Sequence, residues 1–133
     1  MPTDITIAPS SLADRLTAAI AAADMTTMRE IYTTDAVIWH STDAIELSVD
    51  ELDGLLTAIG SVSTCQVDVG SRFITETGFV QTQTNTYQLK SSDDEVVLRC
   101  ALIVTTSGDL ITRVDEYLDG TALAPLINAL PTG

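Results

Sequence analysis

The stretch Phe79-Val-Gln-Thr-Gln-Thr-Asn-Thr-Tyr-Gln-Leu89 decides the fold class of this chain. Thr82, Thr84 and Thr86 alternate with Gln83, Asn85 and Tyr87, a period of two that belongs to a strand. Both alternating sets are polar, so the pattern leaves open which one faces inward. Three more β-like segments surround it: Cys65 to Val69 before, then Glu95 to Thr105 and Leu110 to Leu118 after. The polar runs Lys90-Ser-Ser-Asp-Asp94 and Ser107-Gly108-Asp109 read as the turns between strands.

Upstream, the texture is helical. Leu12, Leu16 and Ile20 recur on one helical face, with Ser10 or Ser11 as N-cap and Asp14 in the first turn. Asp24 is placed to cap a second, short helix through Met25, Met28, Ile31 and Tyr32. Thr34-Asp35 breaks that pattern, and Ala36-Val-Ile-Trp-His-Ser-Thr42 reads as a strand. Ser48-Val-Asp-Glu51 is a capping box before Leu52, Leu55, Leu56 and Ile59, and the helix is expected to end at Gly60, a natural C′ residue. Gly120 and Pro125 frame a short C-terminal helical segment. Helices, one strand, a helix and then four long strands make an α+β fold, with the helices covering one face of a strongly curved, mostly antiparallel sheet. With no repeat and no linker, residues 1–133 read as one domain.

Composition narrows the function. The chain carries 19 acidic and 6 basic side chains, a formal charge of −13, and a pI near 4.1. Such a surface repels phosphate backbones and anionic lipid, which argues against nucleic-acid and membrane partners. The cations Arg15, Arg29, Arg72, Lys90, Arg99 and Arg113 are scattered and form no basic stripe. Met1 to Ser10 lacks the charged and apolar regions of a signal peptide, and no apolar run approaches the ~20 residues of a membrane span. A soluble cytoplasmic protein is expected, with Cys65 and Cys100 as free thiols. His40, the single histidine, and two separated cysteines do not make a zinc site, and no phosphate-cradling or dinucleotide motif is present. Neither a metal nor a cofactor is expected.

Two local motifs carry a resemblance. Ile31-Tyr-Thr-Thr-Asp-Ala-Val-Ile-Trp-His40 and Gly108-Asp-Leu-Ile-Thr-Arg-Val-Asp-Glu-Tyr-Leu-Asp119 resemble a helix-end tyrosine with its following strand, and the last hairpin, of the SnoaL-like and ketosteroid-isomerase-like proteins of the nuclear transport factor two-like superfamily. The resemblance spans about residues 11 to 126. It implies a cone whose open mouth admits a small, mostly apolar molecule. It also implies cofactor-free acid–base chemistry in catalytic members: isomerisation, ring closure, dehydration or epoxide hydrolysis. Other members only bind ligands or proteins, and many are homodimers. In the isomerase pattern the general-base aspartate falls at His40 and a supporting tyrosine, set behind the groups that touch substrate, at Tyr32. Its oxyanion-hole tyrosine and acid fall near Leu16 and Cys100, a departure that weakens steroid isomerisation. The epoxide-hydrolase pattern survives only in part, because Leu98-Arg-Cys-Ala101 lacks its aspartate while Glu116 stands where the last-strand aspartate would be.

The residues add their own argument. On the last strand Leu110, Thr112, Val114, Glu116 and Leu118 share one face by alternation, opposite Ile111, Arg113, Asp115 and Tyr117. Glu116 on that apolar face is either a desolvated acid–base group or a strand-end carboxylate reaching solvent. His40 shares a face with Ala36 and Ile38, as a base or as a hydrogen-bonded core histidine. If the two meet, they form a base and its orienter. Tyr32, Gln83, Tyr87, Cys100, Val114 and Leu118 are the expected ligand contacts. Cys100 is either a nucleophile beside His40 or an inert core thiol. Trp39 points away from His40, into core or a dimer contact. Asp43 rims the mouth or forms a turn. The expected function is acid–base catalysis by His40 and Glu116 on a neutral apolar molecule. The alternatives are a non-catalytic ligand-binding module and a dimeric docking domain with a filled cone.

Overall fold

The computed structural model describes residues 9–130, so the reading of Met1 to Ala8 lies outside the described residues. Four helices and six strands follow in the order α1 (Pro9–Ala22), α2 (Met25–Ile31), β1 (Tyr32–His40), β2 (Glu46–Leu47), α3 (Val49–Val62), β3 (Ser63–Thr75), β4 (Gly78–Leu89), β5 (Glu95–Ser107), β6 (Leu110–Leu118) and α4 (Gly120–Ala129). The strands form one curved, unclosed sheet in the order β2-β1-β6-β5-β4-β3. Every neighbour pair is antiparallel except β1 with β6.

Local chemistry starts α2 and α3 where the sequence places them. Asp24 Oδ1 accepts the Thr27 amide at 3.1 Å to begin α2. Ser48 Oγ accepts the Glu51 amide at 3.1 Å while Glu51 Oε1 accepts the Ser48 amide at 3.0 Å, closing the capping box of α3. Ser10 and Ser11, expected as caps, lie inside α1, which already includes Pro9. Gly60 does not end α3, which runs on to Val62. A Cβ at Gly60 would lie 3.2 Å from the Ala23 Cβ, so its bare backbone lets α3 pass close to the end of α1.

Strands differ from expectation mainly where they bulge. β1 begins at Tyr32, and the expected break at Thr34-Asp35 is a register shift between Tyr32 and Val37. β3 is longer than Cys65–Val69, and carries a bulge between Val69 and Arg72. The expected alternation along β6 fails at its start. Thr105 pairs with Arg113 and Thr106 with Ile111, leaving Thr112 as an extra residue. The extra residue reverses the phase, so Ile111 is buried and Leu110 exposed, while Val114, Glu116 and Leu118 keep the inner face. The turn-back into β4 depends on Gly78, where a Cβ would collide with the Val104 carbonyl oxygen and φ is +156°.

Two apolar clusters hold the helices to the sheet. One joins α1, α2 and the start of α3 to the sheet through Leu12, Leu16, Met28, Ile31, Phe79 and Leu102. The other joins α4 to β4 and β5 through Leu126, Tyr87, Leu89, Val96 and Leu98. Each fully buried Leu, Ile, Met or Phe contributes about 1.5–3 kcal/mol. Between the clusters the inner face is left unfilled.

Candidate active site

The unfilled space is a cavity of about 510 Å³, bounded by residues of both clusters. Leu16, Ile38, Leu52, Leu98, Leu102 and Leu123 are among its mostly aliphatic walls. Polar groups enter at two places: Tyr32, His40 and Glu116 from β1 and β6, and Asn85 with Tyr87 from β4. Exposed Thr42, Asp43 and Glu51 add polar lining. Trp39 does not plug the space. It packs edge-to-face on Tyr117, with ring centroids 5.2 Å apart, on the sheet's other side.

His40 and Glu116 meet because β1 and β6 run parallel in register, with His40 directly beside Glu116 and Ile38 beside Val114. His40 Nε2 lies 2.9 Å from Glu116 Oε1, and each side chain is 17% exposed. A carboxylate accepts hydrogen bonds and does not donate them, so it selects the tautomer with hydrogen on Nε2 and leaves the Nδ1 lone pair free to take a proton. Burial lowers the basicity of His40, but the Glu116 hydrogen bond, the Glu116 charge and the Asp43 charge outweigh it, and its pKa rises above the ordinary 6.5. Asp43 combines the two roles considered for it: its Oδ1 accepts the Ile45 amide at 3.0 Å in a tight turn, and it lines the cavity.

The remaining expected contacts divide. Tyr32, Tyr87, Val114 and Leu118 line the cavity, and burial pushes both tyrosine hydroxyls far up in pKa, so they stay protonated. Gln83 and Cys100 do not line it. Gln83 is buried one step back along β4, engaged with neighbouring amides. Cys100 sits behind Glu116; burial and then the Glu116 charge push its thiol far up in pKa, which disfavours the thiolate that a nucleophile needs. It forms no disulfide with Cys65, as both are free.

Gln81, Gln83, Asn85 and Tyr87 occupy the inner face of β4, and Thr82, Thr84 and Thr86 the outer one. Two equally polar sets carry no signal for this choice. Asn85 and the α3 and α4 side chains Leu55, Ile59 and Leu123 line the cavity without having been expected there. The helical spacing marks α3 as amphipathic, yet nothing local says that its apolar face borders a cavity. Among the described residues no cluster of three or more His, Cys, Asp or Glu could hold a metal ion. No helix among them is long and apolar enough to cross a membrane.

No family model matches the chain, and no curated protein matches it in sequence. Solved structures do match its fold. IdmH of Streptomyces antibioticus, a candidate polyketide cyclase, superposes with a TM-score of 0.78 at 12% identity, covering 92% of this chain and 99% of that one. A candidate SnoaL-like polyketide cyclase of Jannaschia sp. CCS1 gives 0.76 at 16% identity over 98% of this chain and 99% of its own. A protein of ketosteroid isomerase-like fold from Catenulispora acidiphila, solved with trimethylamine, gives 0.75 at 11% identity over 90% and 93%. At these identities the likeness is one of fold: the chain has the SnoaL-like, ketosteroid-isomerase-like α+β architecture.

Proposed function

From that fold and the carboxylate-bonded histidine in its cavity, we propose that this protein is a small-molecule enzyme that performs cofactor-free acid–base chemistry of the cyclase, isomerase, dehydratase or epoxide-hydrolase type. The observation that carries the reading is the 2.9 Å His40–Glu116 contact inside a mostly aliphatic cavity of about 510 Å³. Neutral His40 takes a proton at Nδ1, either from a carbon next to a carbonyl or from a water attacking an epoxide. Glu116 holds the ring through Nε2–H and stabilises the imidazolium that forms; the proton transfer by His40 is worth about 10²–10⁴-fold in rate. The walls suit a neutral apolar molecule bearing a carbonyl, hydroxyl or epoxide, and the −13 charge disfavours an anion.

A cytoplasmic homodimer is part of the same proposal. Arg113 and Tyr117 lie on the outer sheet face with Trp39 and Ile103, around the Arg113–Asp115 ion pair; Ile103 is 43% and Tyr117 48% exposed, and this polar-aromatic surface suits an isologous contact.

The test is a mass-spectrometric screen in deuterated water over ketones, enones, enol lactones and epoxides, with wild type beside His40→Ala. Deuterium uptake next to a carbonyl, or water addition to an epoxide, that disappears in the variant is the expected result. Turnover that survives the substitution removes His40 from the mechanism. Ligand-dependent rises in melting temperature with no turnover across the panel would instead establish the non-catalytic binding module.

A further inference from the structure

The inner face of β4 carries a continuous line of side-chain hydrogen bonds from the surface to the cavity. Arg72 Nη1 contacts Asp14 Oδ1 at 2.9 Å, and Arg72 Nε donates to Gln81 Oε1 at 2.8 Å. Gln81 Nε2 donates to Thr17 Oγ1 at 2.9 Å and to Gln83 Oε1 at 2.8 Å. Gln83 Nε2 donates to Asn85 Oδ1 at 2.8 Å, and Asn85 Nδ2 reaches the Tyr87 hydroxyl at 3.4 Å. Gln81, Gln83 and Asn85 are at most 3% exposed.

The direction of this line is fixed by chemistry. A guanidinium has donors and no acceptor, so Gln81 must turn its oxygen toward Arg72 and its amino group inward. Each amide then repeats the choice of the one before it, and the last must point its oxygen back and its N–H₂ forward. The bulge between Val69 and Arg72 is what makes this possible. Cys65, Val67 and Val69 pair with Tyr87, Asn85 and Gln83, and the extra residue brings Arg72, not Ser71, opposite Gln81. Gly70 permits the close approach, since a Cβ there would lie 2.7 Å from Thr82 Oγ1.

At the cavity end the line has hydrogens to spare. One Asn85 N–H spans the long contact to Tyr87, and the other has no acceptor among the described residues. Tyr87 Oη accepts from Asn85, and its own proton faces the Cys65 sulfur, a weak acceptor. Both residues line the same cavity as His40 and Glu116.

We infer that Asn85 Nδ2 and Tyr87 Oη form a donor-only subsite for a neutral ligand's acceptor oxygen, such as a ketone, lactone or ester carbonyl, and that Arg72 is the positioning residue that sets its polarity through Gln81 and Gln83. The inference rests on the cavity being a ligand site, as proposed above. It does not require His40 to be catalytic. The subsite receives an oxygen at one end of the ligand, while the negative charge of Glu116 keeps anions out.

The probes are 9-fluorenone and fluorene, matched in shape and differing in one carbonyl. Binding is followed by titration, and the fluorenone C=O stretch by infrared difference spectroscopy. In wild type the bound stretch is expected to move to lower frequency than in hexane. Asn85→Leu should abolish most of that shift and weaken fluorenone about 3- to 10-fold, the worth of one net hydrogen bond, while fluorene affinity stays unchanged and reports a folded cavity. Tyr87→Phe, the gentler variant, should lose part of the shift and keeps the test decisive if Asn85→Leu does not fold. His40→Gln should keep the shift in full. Arg72→Met, outside the cavity, should move the stretch back toward the hexane value, and Arg72→Lys, which restores a donor, should recover it. Binding of both probes with the same stretch in wild type, Asn85→Leu and Tyr87→Phe overturns the subsite and leaves the cavity as a ligand site. Binding of neither probe overturns both. An unchanged stretch in Arg72→Met overturns the role of Arg72.

Discussion

The two polar groups that enter the cavity are built in opposite ways. His40 and Glu116 come from distant parts of the chain and meet through parallel pairing of β1 with β6. The amide line comes from alternate residues of β4 alone, with Arg72 supplied by the neighbouring strand. The first is ionisable, and its state follows pH. The second is neutral from Gln81 to Tyr87, and its direction is set by a group that never loses its proton. One cavity therefore holds a proton acceptor that can be tuned and a hydrogen-bond donor that cannot. Both desolvate polar atoms, but only the pair can change charge with pH.

The sharpest way to break this comparison is to neutralise one side and watch the other. His40→Gln is expected to lower proton-transfer rates about 10²–10⁴-fold by deuterium exchange, with little change in urea unfolding at a pH above the folded-state pKa of His40, where its charge no longer contributes. An equal loss in Gln83→Leu would erase the division of labour between the two groups.

The amide line should show the greater stability effect. Gln83→Leu leaves a Gln81 hydrogen and the Asn85 oxygen unmatched in the interior, an expected cost of about 1–3 kcal/mol in urea unfolding. Replacing Gln81, Gln83 and Asn85 together with Leu removes the line's internal donors and acceptors at once. That triple variant is expected to unfold less easily than the sum of the three single variants, provided the larger side chains fit. Additive losses would mean that the three amides act separately and not as a line.

The pair should answer to pH where the line does not. The folded-state pKa of His40 lies above the unfolded value of 6.5. Its contribution to stability is therefore complete below that value and is lost as pH rises through the folded-state pKa. Activity that needs the neutral ring should rise over the same range. In Glu116→Gln the leading cause that remains is burial, which favours the neutral ring, so the activity profile moves to lower pH. A profile that stays in place would show that Glu116 does not set the basicity of His40.

The smallest effect supplies the reference. Asp24→Ala removes the α2 cap far from both groups and is expected to lower the urea midpoint only slightly. It should leave the pH profile and the carbonyl stretch untouched, so a change in either would mean that they report general loosening.

Much of this architecture is legible along the chain. The caps at Asp24 and Ser48, the extent of β6 from Leu110 to Leu118 and the period of β4 all follow from contacts between residues close in sequence. Such signals are complete within one or two turns of backbone. His40 and Glu116 are legible as candidates because each shares a strand face with apolar residues. Their meeting at 2.9 Å depends on the register of a parallel pair that includes an irregularity between Tyr32 and Val37.

The sequence by itself determined the order of the long elements, the starts of α2 and α3, the period of β4 and the residue types available for chemistry. Tertiary structure decided which face of β4 turned inward, that Arg72 joined it across a bulge, that Thr112 reversed the phase of β6, and that Gln83 and Cys100 stood behind the cavity wall. The physical reason is the same in each case. A period of two is symmetric between faces when both are polar, and a single extra residue flips a strand at no cost visible in local propensity. Only pairing with a neighbouring strand and burial beneath the helices break that symmetry.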